Sequence, residues 1–227
     1  MTDTVLQSAP PRLLPRDDSV IRLAVAGLGK MGSAHLEAAR TLRGGGVEDY
    51  YKDGLASHLG RLRICGVCDP DPDRLQAAAG IPWYRDWCRL LEEQKPHIAI
   101  LASPTASHAE LTRLCLEAGV HTLVEKPLAP RLEESRALIA LAREQGCRLL
   151  AGHVERYNPV SVKLKSWLTS TGLAARYYRF ERSQRLPARI PEDILTDKLI
   201  HDLDLALYFF GPVSETRVTD CVRERDR

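Results

Sequence analysis

The sequence predicts an α/β protein in which an N-terminal doubly wound parallel sheet precedes a shortened C-terminal α+β domain. Short apolar runs alternate with longer amphipathic segments up to residue 152, as expected for parallel strands covered by helices on both faces. A glycine-rich turn links the first apolar run to the first amphipathic segment. Beyond residue 152 the alternation stops, which places a domain boundary at residues 151–158.

Each element is predicted from the hydrophobic period between two turn signals. In the first domain, strands are predicted at residues 20–26, 61–68, 97–102, 121–125 and 148–152, and helices at residues 34–43, 72–79, 86–94, 107–118 and 132–145. Residues 44–60 (GGGVEDYYKDGLASHLG) have glycines at both ends and no period, which predicts an inserted loop. In the second domain, helices are predicted at residues 153–170 and 193–210, and strands at residues 173–182 and 213–222.

The composition fits a globular protein of the cytoplasm. Apolar residues make up 44% of the 227 residues and charged residues 27%, and no apolar run is long enough to cross a bilayer. Residues 1–19 mix Pro, Arg and Asp without a hydrophobic segment, so we expect a flexible tail rather than a secretory signal. The net charge of +2 gives no field that favours nucleic acid as a partner.

The cysteines predict reduced thiols rather than disulfides or a metal centre. They are scattered through apolar segments of a chain without an export signal, as Cys65, Cys68, Cys88, Cys115, Cys147 and Cys221. Cys65 and Cys68 form a C-x-x-C, but neither a second cysteine pair nor a nearby histidine completes a zinc site. Packing within a strand is therefore the preferred interpretation of these two cysteines.

The turn after the first strand has the spacing G-x-G-x-x-G, formed by Gly27, Gly29 and Gly32. In such a turn the first glycine permits the bend, the second lets a pyrophosphate approach the backbone, and the third lets the helix pack on the strand. The N-terminus of the helix then faces the phosphates. The motif predicts a Rossmann dinucleotide site whose loop consists of Gly27, Leu28, Gly29, Lys30, Met31 and Gly32.

Asp69 ends the second predicted strand, where an acidic side chain accepts hydrogen bonds from the ribose hydroxyls of a dinucleotide. Because a carboxylate there disfavours the extra phosphate of NADP, Asp69 predicts NAD as the cofactor. The loop at residues 44–60 places it further along the chain than the usual spacing. In the alternative interpretation, Asp69 only forms a turn at the start of the segment DPDPD.

The next two strands lead into the segments ASPTASH and LVEKP, and ligands bind at the carboxyl ends of such strands. These segments add Ser103, Pro104, Thr105, His108, Glu125 and Lys126 to the predicted cofactor site. Lys126 is expected to project into the cofactor crevice, where a lysine can donate to a substrate oxygen or exchange a proton with it. Pro127 restricts Lys126 and can hold it by a cis bond. The alternative is a surface lysine after a strand.

A second group of reactive side chains lies in TDKLIHDLDLALYFFG. Spacings of four, three and four place four of them on one face of a helix, namely Asp197, His201, Asp204 and Tyr208. An imidazole between carboxylates on an otherwise apolar helix is suited to act as a general base. Alternatively, the first acid stabilises a helix N-terminus and the histidine is a hydrogen-bonded core residue.

These motifs resemble the glucose-fructose oxidoreductase, inositol dehydrogenase and MocA (Gfo/Idh/MocA) family over residues 20–212. The resemblance rests on AGLGKMG, on SPTASHAELTRLCLEAGVHTLVEKP and on the D-x-x-x-H-x-x-D of residues 197–204. It implies a Rossmann domain at residues 20–152, an α+β domain at residues 153–227, and a tightly held nicotinamide cofactor. By matching motif it makes Lys126 the catalytic lysine, His201 the acid/base and Asp197 an active-site carboxylate.

The resemblance also implies oxidation or reduction of a sugar or cyclitol hydroxyl. Family members continue with several more strands, whereas only two predicted strands follow residue 170, so the second domain is expected to be shortened. The segment GHVERYNP resembles nucleotide-sugar dehydrogenase members and implies substrate contacts from Arg156, Tyr157 and Asn158. Self-association through the C-terminal sheet is expected as well.

An arginine-rich segment bears on the charge of the substrate. Arginines recur every three or four residues, as Arg176, Arg179, Arg182, Arg185 and Arg189. A guanidinium group binds phosphate through paired hydrogen bonds, so this segment, and Arg182 in particular, favours a nucleotide sugar over a neutral cyclitol. In the alternative interpretation these arginines solvate an exposed sheet face or a subunit interface.

The leading hypothesis is an NAD-dependent sugar dehydrogenase in which Lys126 and His201 handle the hydroxyl proton. One rival is an NAD-using glycoside hydrolase, since that chemistry also begins by oxidising a sugar hydroxyl. The other rival is a non-catalytic protein that binds NAD but lacks the rest of the C-terminal sheet.

Overall fold

The computed structural model describes residues 14, 20–44, 60–172, 177–181, 195–215 and 217. Most of the predicted tail and of the loop predicted at residues 44–60 therefore lies outside the described residues. The chain divides into two compact units, Met1–Gly152 and His153–Arg227. In the part of the chain that is described, none of the helices combines the length and the apolar character that crossing a bilayer requires.

The first unit is built on a sheet of six parallel strands in the spatial order β3-β2-β1-β4-β5-β6. In chain order they are β1 (Ile21–Ala26), β2 (Leu62–Cys68), β3 (Trp83–Tyr84), β4 (Ile98–Leu101), β5 (His121–Val124) and β6 (Leu149–Ala151). The order reverses between β1 and β4, and sheets of this kind bind ligands outside the carboxyl ends of the strands at that point. The predicted doubly wound parallel sheet is confirmed.

Four α-helices connect these strands in the described part of the first unit: α1 (Lys30–Gly44), α2 (Trp87–Gln94), α3 (Thr105–Glu117) and α4 (Leu132–Glu144). α2 begins where the Asp86 side chain accepts the Arg89 backbone N–H at 2.9 Å. α4 begins where the Arg131 backbone N–H donates to the Glu134 side chain at 3.1 Å. Both bonds satisfy backbone donors that a helix N-terminus otherwise leaves without a partner.

Both faces of the sheet are covered by apolar side chains. Successive residues of β1 point to opposite faces, so Ala24 and Ala26 belong to one buried cluster and Val25 to another. The first cluster extends to α2 and α3, and the second extends to α1. The near-continuous apolar character of β1 is thus explained by its burial on two sides.

One local prediction for the first unit differs from the structure, and one strand was not predicted. The helix predicted at residues 72–79 is a 3₁₀ helix, Pro72–Ala78, whose first turn is closed by an i to i+3 bond from the Arg74 N–H to the Asp71 carbonyl oxygen at 3.3 Å. The edge strand β3 escapes prediction because two residues are too few to show an alternating pattern. Its Trp83 side chain donates to the Asp69 carbonyl oxygen at 3.0 Å and so joins β3 to the end of β2.

The described part of the second unit consists of helices and irregular segments. α5 (Pro159–Thr171) and α6 (Ile200–Phe210) pack together, a 3₁₀ helix (Val154–Tyr157) precedes α5, and a π-helical turn (Leu195–Leu199) precedes α6. The helix predicted at residues 153–170 is divided at Asn158, whose side chain accepts the Val160 N–H at 3.0 Å and caps α5.

The strands predicted for the second domain are not formed by the residues that the structure describes there. Residues 177–181 and 213–215 are irregular, and most of the remainder of both predicted strands, including the candidate Arg182, lies outside the described residues. Tyr178 stacks on Phe210 of α6 with ring centroids 4.0 Å apart. Residues 177–181 therefore pack on a helix through an aromatic ring and do not pair with a strand, although their alternating pattern predicts a strand.

Candidate cofactor and active site

The glycine turn connects β1 to α1 and excludes side chains at two of its three glycines. A Cβ atom on Gly27 would lie 2.6 Å from backbone atoms of Ala102, and the φ angle of Gly27 is +83°. A Cβ atom on Gly32 would lie 1.7 Å from the Gly27 carbonyl oxygen. At Gly29 the nearest described neighbour is Arg74 Nη1, at 3.3 Å, so the backbone there is open on one side. This cradle fits the pyrophosphate of a dinucleotide.

The other loop residues divide into a buried and an exposed set. Leu28 is buried, and its backbone N–H donates to the Asp69 side chain. Lys30 and Met31 lie in the first turn of α1 and have exposed side chains. The first N–H groups of α1 therefore lie directly beside the open backbone of Gly29, as an anion-binding helix N-terminus requires.

Asp69 directly follows β2 and holds the glycine loop through its carboxylate. The Leu28 N–H donates to its Oδ2 at 2.6 Å, the Asp71 N–H donates to its Oδ1 at 2.9 Å, and the residue is 3% exposed. The second bond forms the turn that the alternative interpretation expects. Because each carboxylate oxygen has two lone pairs, Asp69 also retains acceptor capacity for a ribose hydroxyl.

A pocket of about 570 Å³ opens beside Asp69 at the carboxyl ends of β1, β2 and β4. Its charged lining residues are Asp69, Asp71, Asp86, Glu110, Arg74 and Arg85. Arg74 lies 3.5 Å from the Asp69 carboxylate and 3.3 Å from that of Asp71. The volume is in the range of small-molecule sites, roughly 300–1,000 Å³. The excess of carboxylates over guanidinium groups disfavours an additional phosphate.

The segment after β4 contributes to this pocket through Ser103 and Pro104, and Thr105 begins α3. His108 is placed differently. It is 1% exposed, and its two ring nitrogens lie 2.8 Å from the carbonyl oxygens of Ser103 and Pro127. This placement gives no support to the predicted cofactor contact of His108. The side chain instead ties the segment after β4 to the segment after β5.

Glu125 and Lys126 follow β5, and the Lys126–Pro127 peptide bond is cis. The buried Glu125 places its Oε1 2.6 Å from Nε2 of His35 on α1, and its Oε2 accepts the Lys126 backbone N–H at 3.3 Å. Burial alone raises the pKa of Glu125, but the hydrogen bond and charge of His35, with a smaller effect of Lys126, leave that pKa lowered. The buried charge of Glu125 is therefore accounted for by hydrogen-bond donors within the protein.

Sequence reasoning missed His35 and Arg74. His35 lies three residues after Gly32 on α1, so it shares a face with the glycine that packs against the strand, and that spacing is the signal by which it can be found. Arg74 reaches Asp69 across the 3₁₀ turn. No periodic pattern marks an arginine in such a turn, so its position depends on the fold.

In the second unit, Arg156 forms a two-pronged ion pair with Asp204. Its Nε and Nη2 donate to the two Asp204 carboxylate oxygens at 2.8 and 2.6 Å, and its guanidinium lies 5.4 Å from the centre of the Tyr208 ring. The hydrogen bond to Asp204 raises the pKa of Arg156. Because Asp204 is buried, this pair neutralises a carboxylate inside the unit. The geometry explains Arg156 without a substrate.

The neighbouring candidates differ from each other. Tyr157 is 75% exposed, whereas the Asn158 side chain is used as the cap of α5. Both residues lie at the surface, but the Asn158 side chain is held by its cap bond to the Val160 N–H.

The predicted row of acidic and histidine side chains is only partly continuous. His201, Asp204 and Tyr208 lie on α6 with helical spacing, whereas Asp197 lies in the π-helical turn before it and pairs with Lys198 at 3.0 Å. In a π turn the hydrogen bonds run from i to i+5, so a spacing of four no longer gives the alignment of an α-helix. The expected common face of Asp197 and His201 is therefore altered.

Cys65 and Cys68 are free thiols on β2. Burial raises the pKa of Cys65 to about 11, and burial together with the carboxylates of Asp86 and Asp69 raises that of Cys68 to about 12. Burial, the largest cause of both shifts, agrees with side chains that pack within the strand. In the described ranges, no three His, Cys, Asp or Glu side chains are grouped to hold a metal ion.

Comparison with known proteins gives relatives over both units. Residues 21–153 match the Gfo/Idh/MocA oxidoreductase family, which has an NAD-binding Rossmann fold. The UDP-N-acetylglucosamine 3-dehydrogenase of Acidithiobacillus ferrooxidans is 36% identical over 171 residues, 68% of this chain and 52% of that protein. The scyllo-inositol 2-dehydrogenase (NAD(+)) of Bacillus subtilis is 30% identical over 201 residues, 84% of this chain and 54% of that protein. The chain spans about half the length of the curated relatives it matches.

Solved structures show the same fold. The structure of the Acidithiobacillus ferrooxidans enzyme is similar with a TM-score of 0.63 at 28% identity, over 84% of this chain and 56% of that chain. The WlbA dehydrogenase from Bordetella pertussis, in complex with NADH and UDP-GlcNAcA, has a TM-score of 0.65 at 23% identity, over 87% of this chain and 57% of that chain. At that identity the second likeness bears on the fold alone. The family match covers the first unit from β1 to its end, and the chain therefore belongs to the NAD-binding Gfo/Idh/MocA oxidoreductase family.

Proposed function

We propose that the protein is an NAD-dependent dehydrogenase that acts on a hydroxyl or keto group of a sugar, a cyclitol or a nucleotide sugar. The observation that carries the proposal is the arrangement at the carboxyl ends of the strands of the first unit. An open glycine loop, an acid at the end of β2 and a lysine directly after the buried Glu125 are combined there. The relatives named above are dehydrogenases of a nucleotide sugar and of an inositol, which favours oxidation over glycoside hydrolysis.

Each residue has a task in the proposed reaction. The bound nicotinamide supplies or accepts the hydride. The glycine loop and the first turn of α1 hold the pyrophosphate through backbone N–H groups, and Asp69 accepts from the ribose. Lys126 donates to the reacting oxygen or exchanges its proton. His201 is assigned proton handling from its motif, and Asp197 a carboxylate role on the same basis.

The decisive experiment replaces Lys126 by methionine, which keeps an unbranched side chain without the amine. Lys126→Met is expected to keep NADH affinity and to lose turnover by about a hundredfold or more, the usual scale of proton handling. NADH absorbance over a panel of sugars, cyclitols and UDP-sugars with their free sugars measures turnover, and NADH fluorescence measures affinity. His201→Ala is expected to behave in the same way.

Lys95→Met is the matched control, because Lys95 is an exposed lysine at the end of α2, close to the amino end of β4. It is expected to have the turnover of the wild type. Near-normal rates in both Lys126→Met and His201→Ala would refute the proposed mechanism.

Cofactor choice is a second expected outcome. The Asp69 carboxylate and the acidic lining of the pocket disfavour a 2′-phosphate, so NAD is expected to bind about tenfold or more tightly than NADP. Side-by-side fluorescence titrations of NADH and NADPH measure the ratio. Tighter binding of NADPH would show that Arg74, rather than Asp69, decides the selectivity.

The main proposal also includes a cytoplasmic location and self-association, which cell fractionation and light scattering test.

A further inference from the structure

A hydrogen bond with little access to water joins the helix of the nucleotide loop to the lysine motif. His35 Nε2 on α1 lies 2.6 Å from Glu125 Oε1, and the two side chains are 19% and 8% exposed. Neither residue lines the pocket beside Asp69. The bond therefore needs an explanation other than direct contact with the ligand of that pocket.

The main chain of Glu125 is fixed on both sides. Its N–H donates to the Leu101 carbonyl of β4 at 2.8 Å, and the Gly152 N–H donates to the Val124 carbonyl at 2.7 Å. A Cβ atom on Gly152 would lie 3.2 Å from both Cα and Cδ of Glu125, so the chain after β6 packs closely against this side chain. With the backbone fixed, the direction of the carboxylate depends on its hydrogen-bond donors.

Two donors hold that carboxylate, and they act on different oxygens. A carboxylate oxygen accepts only, so Nε2 of His35 must carry the proton that it shares with Oε1. The backbone N–H of Lys126 donates to Oε2 at 3.3 Å, a longer contact than that of His35. A carboxylate with so little water cannot lose its shorter bond without turning or taking up a proton. Either response changes the surroundings of Lys126.

We propose that His35 is a positioning residue for the reaction: by donating to Glu125 it fixes the carboxylate that holds the Lys126 backbone, and so sets the position of the Lys126 amine. The proposal rests on the proposed function of Lys126 and deepens it. It also gives α1 a second task, because the helix that receives the pyrophosphate then determines the geometry of the proton-handling group.

Reductive methylation read by mass spectrometry tests the placement of Lys126 without any turnover. In His35→Ala the methylation rate of Lys126 is expected to change by about threefold or more, as for directly coupled neighbours, while that of Lys95 stays constant. His121→Ala is the matched control, since His121 begins the same strand at its other end, where it accepts the Arg148 N–H at 3.0 Å. An unchanged rate at Lys126 in His35→Ala overturns the proposal.

Kinetics provide the second readout. His35→Ala is expected to lower kcat about tenfold with an unchanged NADH dissociation constant, which corresponds to about 1.4 kcal/mol of transition-state stabilisation. If His35 acts through Glu125, adding His35→Ala to Glu125→Gln lowers kcat no further. Additive losses, or a weaker NADH affinity with normal kcat, overturn the proposal, because His35 would then act independently or only support the nucleotide loop.

His35→Gln keeps a side-chain N–H donor and guards against misfolding of the alanine variant. It is expected to recover most of the kcat lost in His35→Ala, and a glutamine variant as slow as the alanine variant overturns the positioning role. If the wild-type chain converts no compound, the proposed dehydrogenase function fails, whereas the methylation experiment still decides whether His35 controls the placement of Lys126.

Discussion

The two units hold their candidate functional groups by different means. In the first unit, three buried clusters pack around the sheet. The glycine loop is fixed by close backbone contacts of Gly27 and Gly32 and by the Leu28 N–H, which donates to the Asp69 carboxylate. In the described part of the second unit, the buried apolar side chains are Leu205 and Ala206. There the candidate residue Arg156 is held by its ion pair with Asp204. The nucleotide loop thus depends mainly on close backbone packing, together with one buried carboxylate, whereas the described part of the second unit depends on side-chain pairing.

The helices of the second unit also present apolar side chains to solvent. Val160 and Trp167 on α5 and Leu203 and Leu207 on α6 are all exposed. Stability follows the apolar area that is removed from water, so the described part of this unit, with its few buried apolar groups, gains less from folding than the first unit does. We therefore expect that nucleotide binding and the stability of the second unit can be perturbed separately.

The largest effect is expected in the glycine loop. Gly32→Ala places a Cβ atom where the Gly27 carbonyl oxygen already lies, at 1.7 Å, so the loop or the start of α1 must move. NADH affinity is expected to fall by about a hundredfold or more, roughly 2.7 kcal/mol. Fluorescence titration measures it. The stability of the second unit is expected to change little, so the effect of the substitution should be confined to the first unit.

Gly60→Ala is the control for this substitution. Gly60 precedes β2, and a Cβ atom there meets no described atom within 4 Å. Its NADH affinity should equal that of the wild type. Wild-type affinity in Gly32→Ala would mean that the loop can accommodate a Cβ atom. The close backbone contacts would then not be what fixes the nucleotide loop.

A smaller effect is expected from the ion pair of the second unit. Asp204→Asn keeps the shape of the side chain but removes the charge that faces Arg156. Breaking a charged hydrogen-bonded pair with one buried partner is expected to lower the free energy of unfolding by about 2 kcal/mol. Urea unfolding followed by circular dichroism measures it, and NADH affinity should stay unchanged.

The exposed pair of Arg113 and Glu117 on α3 is the matched control in the first unit, with Nη1 2.7 Å from the carboxylate. Glu117→Gln is expected to cost no more than about 0.5 kcal/mol, since exposed pairs one helical turn apart contribute little. Equal losses in Asp204→Asn and Glu117→Gln would show that the second unit does not depend on its ion pair.

The sheet of the first unit was predictable because its signals are local and repeated. Most strands are apolar runs between turn residues, and Gly27 and Gly32 mark a place where strand and helix approach too closely for side chains. The second unit shows the limit of such signals. The alternation around Tyr178 reads as a strand, yet the ring stacks on Phe210, which lies far away in the sequence.

The sequence predicts which residues belong to the candidate site, but it does not predict which side chains they contact. The positions of Asp69, Glu125 and Arg156 follow from motifs, whereas their partners do not. Arg156 meets Asp204 from a helix 48 residues further along the chain, and His35 meets Glu125 across 90 residues. No period in the sequence encodes contacts at such separations, because the packing of separate elements creates them.

The smallest effect is expected from the ionisation of Glu125, which has its partner within the first unit. The folded-state pKa of Glu125 is lowered from its ordinary value of 4.5, because the hydrogen bond and charge of His35 and the contribution of Lys126 outweigh burial. The unfolded chain then binds more protons at acidic pH, so stability rises with pH in that range. The contribution of Glu125 is complete above pH 4.5 and is lost as the pH falls through the lowered folded-state pKa.

Glu125→Gln removes this titration and is expected to flatten the acid limb of the stability curve. Urea unfolding between neutral pH and the acid limb, followed through the far-ultraviolet signal, compares wild type and variant. The difference is small because burial, the largest single contribution, opposes the partners that lower the pKa. An acid limb of unchanged slope in Glu125→Gln would assign it to other carboxylates, and the hydrogen bond of His35 would then contribute to geometry without contributing to the pH dependence of stability.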